Sequence, residues 1–261
     1  MTEGEASGGA KSAAFARAEL PRRFYGEAKV GPGAADGTFR VLLDGRPLRT
    51  PGKRSLEVPR AGLAEAIAEE WRAQGERIDP ASMPLTRLVN SALDGVAGRE
   101  GEVAADIARY AGSDLLCYRA GHPDSLVRLQ RQHWDPPLAW ARSVLGCDLK
   151  VGEGVVHVAQ PADTGARFAA AIAGLDHLAL AALHTLTTLA GSAVLALAIG
   201  RGALGAEAAW SAAHVDEDWQ ISQWGTDAEA MRRRADRKRD FDAAALLLAL
   251  TDPFGPNAGY V

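Results

Sequence analysis

The chain has few of the features that define disulfide-rich, secreted or metal-redox proteins. Two of its 261 residues are cysteine, Cys117 and Cys147, so it can form at most one disulfide, and it has no Cys-x-x-Cys motif. Residues 1–20 lack the apolar core of about 7–15 residues that a secretory signal needs. We therefore expect a reducing compartment, with residues 1–21 as a disordered tail.

A strong excess of charge of either sign is also missing. The chain carries 29 basic and 33 acidic residues, a formal net charge of −4, so no global field would draw it to nucleic acid or to an anionic membrane. The basic run at 232–239 is diluted, because residues 227–242 hold six basic and five acidic side chains. Glu229 and Arg233 are spaced for an ion pair along a helix. The pattern favours a solvated, salt-bridged helix.

One uncharged stretch, residues 178–199, is long enough to suggest a transmembrane helix, which needs about 20 apolar residues. It is interrupted by His184, by three threonines and by Gly191-Ser192. A glycine followed by a serine predicts the end of one helix and the cap of the next. We therefore predict two buried helices packed as a hairpin.

Short apolar runs between turn signals predict β structure in residues 24–59. The pair Asp44-Gly45 predicts a hairpin, because both positions of such a turn favour positive φ. Residues 55–58 predict a further strand. Leu63, Ile67 and Trp71 then recur at helical spacing, which predicts an amphipathic helix with Trp71 in the core. Alternating residues between 147 and 158 predict a hairpin that returns to this sheet.

From residue 84 onward the apolar periodicity is helical, over 84–97, 100–118, 123–145, 207–225 and 227–250, with Pro136-Pro137 interrupting the third segment. The predicted fold class is α+β. A small two-layer, β-containing N-terminal domain with one packed helix covers residues 22–83, and a larger all-helical domain covers 84–250. Residues 251–261 are rich in Pro and Gly and predict an irregular tail.

The sequence contains no convincing catalytic, nucleotide-binding or metal-binding motif. There is no Gly-x-Gly-x-x-Gly, and Gly52-Lys53 is followed by Arg54 where a phosphate loop has Ser or Thr. His214 and Glu217 are three residues apart, but zinc requires three or four convergent ligands. A Gly-x-Ser-x-Gly elbow is also missing. We therefore expect no catalytic residues, no cofactor and no metal.

The segment 210–224 combines indoles with polar residues. Trp210, Glu217, Gln220 and Trp224 follow the spacing of one helical face. A buried carboxylate without a partner is costly. Glu217 must therefore pair with an arginine of the same domain, face a cleft, or meet a binding partner. Tryptophan beside a few polar groups is typical of protein interfaces, so the residues favour a binding surface and leave the internal ion pair open.

Several segments, in their order and spacing over about residues 22–230, resemble the assembly chaperones that bind the alpha subunit of the F-type ATP synthase catalytic sector. The matching segments are Arg23-Phe24-Tyr25, Leu43-Asp44-Gly45-Arg46-Pro47-Leu48-Arg49-Thr50-Pro51, Leu63-Ala64-Glu65-Ala66-Ile67-Ala68-Glu69-Glu70-Trp71 with Gln74, Met83-Pro84-Leu85-Thr86, Tyr110 with Asp114-Leu115-Leu116, Gln132 with Trp134-Asp135-Pro136, and Asp216-Glu217 with Gln220 and Trp224-Gly225.

The resemblance implies a monomeric, cofactor-free protein that is not an enzyme. It would hold the free alpha subunit by the surface that alpha later presents to beta, and so cover an aggregation-prone interface until assembly. The important acidic position of the family falls on Glu217. The client-binding residues expected from this are Asp216, Glu217, Gln220, Trp224 and Trp210. A bacterial cytoplasmic member is expected, with relatives in the mitochondrial matrix.

The pattern at residues 227–232 departs from the second acidic cluster of the family, so no role is carried over to that stretch. Two alternatives from other classes also stay open. The first is an enzyme with a small-molecule cleft between the domains and Glu217 as acid or base, its pKa raised by the flanking indoles. The second is a helical nucleic-acid binder through residues 232–239, whose affinity would fall steeply with salt.

Overall fold

A computed structural model describes residues 20–255 of the chain. The predicted tails at 1–21 and 251–261 lie mainly outside these residues. Inside them, Thr251 is still helical and buried, and residues 252–255 follow the last helix. The last helix therefore extends one residue beyond its predicted end.

The N-terminal region contains an antiparallel sheet of four strands, β1 (Ala28–Pro32), β2 (Phe39–Leu43), β3 (Arg46–Pro47) and β4 (Glu57–Val58). β1 pairs along the whole of β2, whereas β3 and β4 pair with its two ends. Asp44 and Gly45 connect β2 to β3 with φ of 47° and 79°. The predicted hairpin is confirmed, as is a strand at 57–58.

One helix, α1 (Ala61–Arg72), packs on this sheet. Leu63 and Ile67 are fully buried, which confirms the amphipathic pattern. Trp71, predicted as a core residue, is only partly buried, and its ring lies 5.5 Å from that of Tyr25. Trp71 therefore lies at the margin of the core, where one side of its ring remains close to solvent.

The remainder is mainly helical and confirms the α+β class. Its helices are α2 (Pro84–Ser91), α3 (Glu100–Tyr110), α4 (Asp124–Leu145), α5 (Thr164–Ala171), α6 (His177–Ala190), α7 (Ala193–Gly200), α8 (Ala206–Ala213), α9 (Val215–Trp224) and α10 (Ala228–Thr251). α10 packs on α6, α2, α8 and α1, so a continuous hydrophobic core connects the sheet region with the helices.

The prediction that Pro136-Pro137 interrupts a helix is wrong, because α4 continues through both prolines. A proline inside a helix removes a hydrogen bond and costs about 3 kcal/mol. Here tertiary contacts compensate for that cost. Pro137 and Trp134 are buried, and Trp134 Nε1 donates a hydrogen bond to the carbonyl oxygen of Ala212 at 2.7 Å.

The predicted hairpin at 147–158 is also wrong. Gly152–Glu153 forms a short strand, β6, that pairs in parallel with β5 (Tyr118–Arg119) and does not join the N-terminal sheet. Val155 and Val156, which carried the alternating pattern, are 97% and 76% exposed. Cys147 and Leu149 are buried, but residues 155–158 have no buried face with which they could pack as the second strand of a hairpin.

The uncharged stretch 178–199 forms the buried hairpin that was predicted. α6 ends at Gly191, whose φ is 65°, and Ser192 caps α7 by accepting a hydrogen bond from the Leu195 N–H at 3.1 Å. Most side chains of both helices are buried. Across residues 20–255, no helix is both long and apolar enough to cross a membrane.

A buried carboxylate, Asp114, connects this hairpin to the segment before it. Its two oxygens accept hydrogen bonds from the N–H groups of Leu116 and Val194, both at 3.1 Å. Burial raises the pKa of Asp114 to about 6, although these hydrogen bonds oppose the shift. The carboxylate thus satisfies backbone donors of two segments inside the core.

Candidate functional site

The indoles predicted to bound one helical face lie on two helices. The chain leaves helical geometry at His214, with φ of −118° and ψ of 19°, so α8 and α9 replace the single predicted helix over 207–225. Trp210 belongs to α8 and is 5% exposed, with its ring 5.3 Å from that of Phe241. Trp210 is thus a buried support beneath α9, and the predicted face of one continuous helix is wrong.

Glu217 lies in the first turn of α9 and faces two arginines of α10. Arg237 Nη2 is 3.3 and 3.2 Å from its two carboxylate oxygens, and Arg234 Nη1 is 3.7 Å from Oε1. The Glu217 side chain remains 37% exposed. The structure therefore shows the internal arginine pair that the sequence left open, at a position that a partner can still reach.

His214 closes the inner side of this ion-pair network. Its Nδ1 lies 2.8 Å from the carbonyl oxygen of Trp210, and because a carbonyl only accepts, Nδ1 carries the proton. Its Nε2 is 3.9 Å from Glu217. Burial lowers the pKa of His214. A neutral imidazole, stacked 3.7 Å from the Trp210 ring, therefore lies beneath the carboxylate.

The two neighbouring carboxylates attach α9 to different helices. Asp216 accepts a hydrogen bond from Gln130 Nε2 at 2.7 Å, and the buried Gln130 accepts one from the Ala120 N–H at 2.8 Å. Asp218 forms an ion pair with Arg234. Asp216 therefore connects α9 to α4, whereas Asp218 strengthens the contact of α9 with α10.

The outer part of α9 is exposed and aromatic. Trp224 is 74% exposed and packs edge-on against Trp219 with ring centres 5.6 Å apart. Trp219 is held by a hydrogen bond from its Nε1 to Ser125 Oγ at 3.2 Å. Gln220 is exposed. We call Glu217, Trp219, Gln220 and Trp224 the α9 surface.

Arg234 and Arg237 were missed as partners of Glu217. The sequence signal that could have identified them was the basic run at 232–239, but its charges were compared only with acids nearby in sequence. Ion pairs of Arg233 with Glu229 and of Arg239 with Asp236 confirm part of that local pairing. No sequence signal pointed to the buried Gln130.

Among residues 20–255, no three His, Cys, Asp or Glu side chains are grouped so that they could hold a metal ion.

Comparisons with known proteins give the class. The chain matches the Atu1473 protein of Agrobacterium tumefaciens, described as a chaperone, with 48% identity and a TM-score of 0.84, over 89% of this chain and 87% of that one. It matches Atp12 of Paracoccus denitrificans with 43% identity and a TM-score of 0.81, over 88% of this chain and 98% of that one. These likenesses place the chain in a class of α+β chaperones.

The family follows from the same comparisons. The profile of the ATP12 chaperone protein family matches residues 22–142. The mitochondrial protein atp12 of Schizosaccharomyces pombe is 25% identical over 203 residues, which are 73% of this chain and 70% of that protein. The chain belongs to the ATP12 chaperone family, and the resemblance found in its sequence segments is confirmed.

Proposed function

We propose that this chaperone serves assembly of the F-type ATP synthase by binding the free alpha subunit and covering its beta-facing interface until beta arrives. Family membership supports the assembly role. The observation that carries the site is Trp224, a large apolar side chain left 74% exposed on the same helix as Glu217, a carboxylate that is 37% exposed. A mixed patch of this kind is characteristic of the anchor residues of protein interfaces.

The contacts around Glu217 support a binding role for its charge. The carboxylate is held by two guanidinium groups that are themselves anchored on α10, so its position is fixed before a client binds. A preorganised group loses little conformational entropy on binding. A basic side chain of the client can share the carboxylate with Arg237, which is 46% exposed. Trp224 supplies apolar contact area, and Gln220 supplies hydrogen bonds.

The alternatives gain no comparable support. An acid–base role in an interdomain cleft requires a carboxylate free to exchange protons with a substrate, whereas Glu217 is engaged by Arg234 and Arg237. The basic side chains at 232–239 that a nucleic-acid binder would use are largely paired with Glu217, Asp218, Glu229 and Asp236. The family to which the chain belongs is described as a chaperone family.

Affinity capture tests the proposal. Tagged wild-type protein should retain alpha subunit from a lysate of its own organism, identified by mass spectrometry, and added purified beta subunit should release it. Glu217→Lys should reduce retention at least tenfold. Glu102→Lys is the matched control, because Glu102 is also paired with an arginine, Arg99, but lies on α3. Failure of the wild type to retain alpha would refute the function, and equal retention by Glu217→Lys would refute the site.

A further inference from the structure

A groove on the N-terminal region has the composition of a second binding site. It has a volume of about 610 Å³ and is lined by residues that include Phe24, Arg46, Pro47, Leu48, Arg49 and Trp71. Grooves that hold small ligands or short peptide side chains commonly measure about 300–1,000 Å³. We call it the aromatic–arginine groove.

The aromatic side of the groove is rigid but open. The Phe24 ring is 72% exposed and stands edge-on against Tyr25, with ring centres 5.4 Å apart. Tyr25 is fixed in turn by a hydrogen bond from its hydroxyl to the carbonyl oxygen of Trp71 at 2.7 Å. Arg23 lies over the Tyr25 ring at 4.6 Å. An exposed phenyl ring on an immobilised base offers apolar contact area at low entropic cost.

The charged side of the groove is unbalanced. Asp44, the acid at its margin, already accepts hydrogen bonds from the N–H groups of Gly26 and Glu27, which lower its pKa. Arg49 donates only to the carbonyl oxygen of Lys53. Within residues 20–255, neither Arg46 nor Arg49 forms an ion pair with a carboxylate. The groove therefore presents Arg46, whose charge acts on Asp44 from beyond ion-pair distance, and Arg49, which has no carboxylate within ion-pair distance among the described residues.

A buried donor at the groove also lacks a partner. Trp71 Nε1 is shielded from solvent and has no acceptor among the described residues. Leaving a buried N–H without an acceptor is energetically unfavourable. This N–H gains an acceptor from a bound chain only if the indole shifts when the groove is occupied.

We propose that the aromatic–arginine groove binds an extended segment of the client protein in which apolar side chains lie next to carboxylates. The apolar side chains contact Phe24 and Pro47, and the carboxylates pair with Arg46 and Arg49. This inference rests on the proposed chaperone function, because it assigns the client a second contact. Arginines of α10 pair with Glu217 of the α9 surface, and α10 also packs on α1, the helix that contains Trp71 of the groove. Both surfaces are therefore connected through α10, and one client can engage both.

A peptide probe tests the groove without the client. A fluorescein-labelled peptide with two leucines and two glutamates at its centre, flanked by Gly-Ser, should bind the wild-type protein. The same peptide with lysines in place of glutamates should bind at least tenfold more weakly. Arg46→Glu/Arg49→Glu should weaken binding of the acidic peptide at least tenfold, which corresponds to about 1.4 kcal/mol. Fluorescence anisotropy at low salt reports each affinity.

The matched control is Arg60→Glu, since Arg60 is also exposed and lies outside the groove lining. It should leave peptide affinity within about twofold of the wild type, and Phe24→Ala should reduce it. Melting curves establish that each variant is folded. Equal binding of the acidic and basic peptides, or a double arginine variant that binds like the wild type, would overturn the inference.

A second measurement separates this inference from the proposed function. Arg46→Glu/Arg49→Glu should weaken capture of purified alpha subunit about tenfold, with Arg60→Glu again unchanged. If the wild type captures alpha and the double variant captures it equally well, the groove is not a client site and the function stands. If the wild type captures no alpha, the proposed function fails, and with it the client as occupant, whatever the peptide affinities are.

Discussion

The α6–α7 hairpin and the α9 surface use polar groups in opposite ways. In and beside the hairpin, Asp114 and Ser192 are fully buried, and their oxygens accept hydrogen bonds from backbone N–H groups. On the α9 surface, Glu217 pairs with the side chains of Arg234 and Arg237 and stays partly exposed. The backbone donors are enclosed in the core, whereas Arg237 and Glu217 are 46% and 37% exposed, so a further cation can reach the carboxylate without displacing the arginine. The first arrangement serves folding and the second leaves charge available for binding.

The largest effect on the free energy of unfolding is expected from a substitution in the hydrophobic core. Phe241 is fully buried and contacts Trp210. Phe241→Ala should lower the free energy of unfolding by about 3–5 kcal/mol, since it deletes a large core side chain. Urea denaturation measures the loss, and Met231→Ala, at a 55% exposed position on the same helix, is the control. A loss below about 1 kcal/mol would contradict the packing described here.

The pH dependence of Asp114 tests the folding side of the comparison. Its pKa rises from 3.8 to about 6 on folding, so the folded state binds the proton more tightly. Stability from this group is therefore fully present only well below pH 3.8, and it is lost as the pH rises through 6. Relative to Asp114→Asn, the wild type should lose about 2 kcal/mol between pH 4 and pH 7.

Urea denaturation of both proteins across this pH range gives the difference directly. The contributions of all other groups cancel in the comparison, including the constant cost of the asparagine amide facing a backbone N–H. Parallel stability curves for the two proteins would show that the Asp114 carboxyl does not titrate differently in the folded state.

Loss of an exposed helix cap should lower the free energy of unfolding less than loss of a buried cap such as Ser192. Asp227 caps α10 by accepting hydrogen bonds from the N–H groups of Glu229 and Ala230, and it is exposed. Asp227→Ala should lower the free energy of unfolding by about 1 kcal/mol, the usual cost of losing a helix cap. Asp227→Ser should retain most of the stability. Thermal unfolding checks this, and an effect of 3 kcal/mol would erase the distinction between buried and exposed caps.

The smallest stability effect and the largest specific binding effect are expected together at Trp224. Because the ring is 74% exposed, Trp224→Ala should change the free energy of unfolding by less than about 0.5 kcal/mol. Binding of alpha subunit should weaken at least tenfold, as expected for an interface tryptophan. Calorimetric titration measures the affinity, and Val144→Ala, at another exposed apolar position, is the control. Unchanged affinity would remove Trp224 from the proposed surface.

Local chemistry made much of the fold predictable. Asp44-Gly45 and Gly191-Ser192 both specify their turns through backbone preferences that act within a few residues. Pro136-Pro137 gave the wrong prediction because the contacts that compensate for the prolines come from α8, about 75 residues away in the chain. The break at His214 was missed for a different reason, because the contact involved lies within four residues of it. Burial of its ring against Trp210 overrides a periodic pattern that continues across it.

The candidate site was predicted less completely than the fold. Residue types alone marked Glu217 and Trp224 as unusual, because a carboxylate and an indole rarely share a helical face without a reason. The pairing with Arg234 and Arg237 depends on how α9 lies against α10. The residue pattern within either helix does not specify which residues of the two helices face each other. The position of Trp210 under α9 has the same origin.

The hydrogen bond from Trp134 to Ala212 has a consequence for how the α9 surface can vary. The Ala212 carbonyl lies in the last turn of α8, where carbonyl groups have no partner within the helix. Trp134 on α4 supplies that partner and so helps to set where α8 stops and α9 begins. Substitutions in α4 can therefore reorient Glu217 and Trp224 together while leaving every residue of the α9 surface unchanged. Under the proposed function, α4 can then alter client binding without contacting the client.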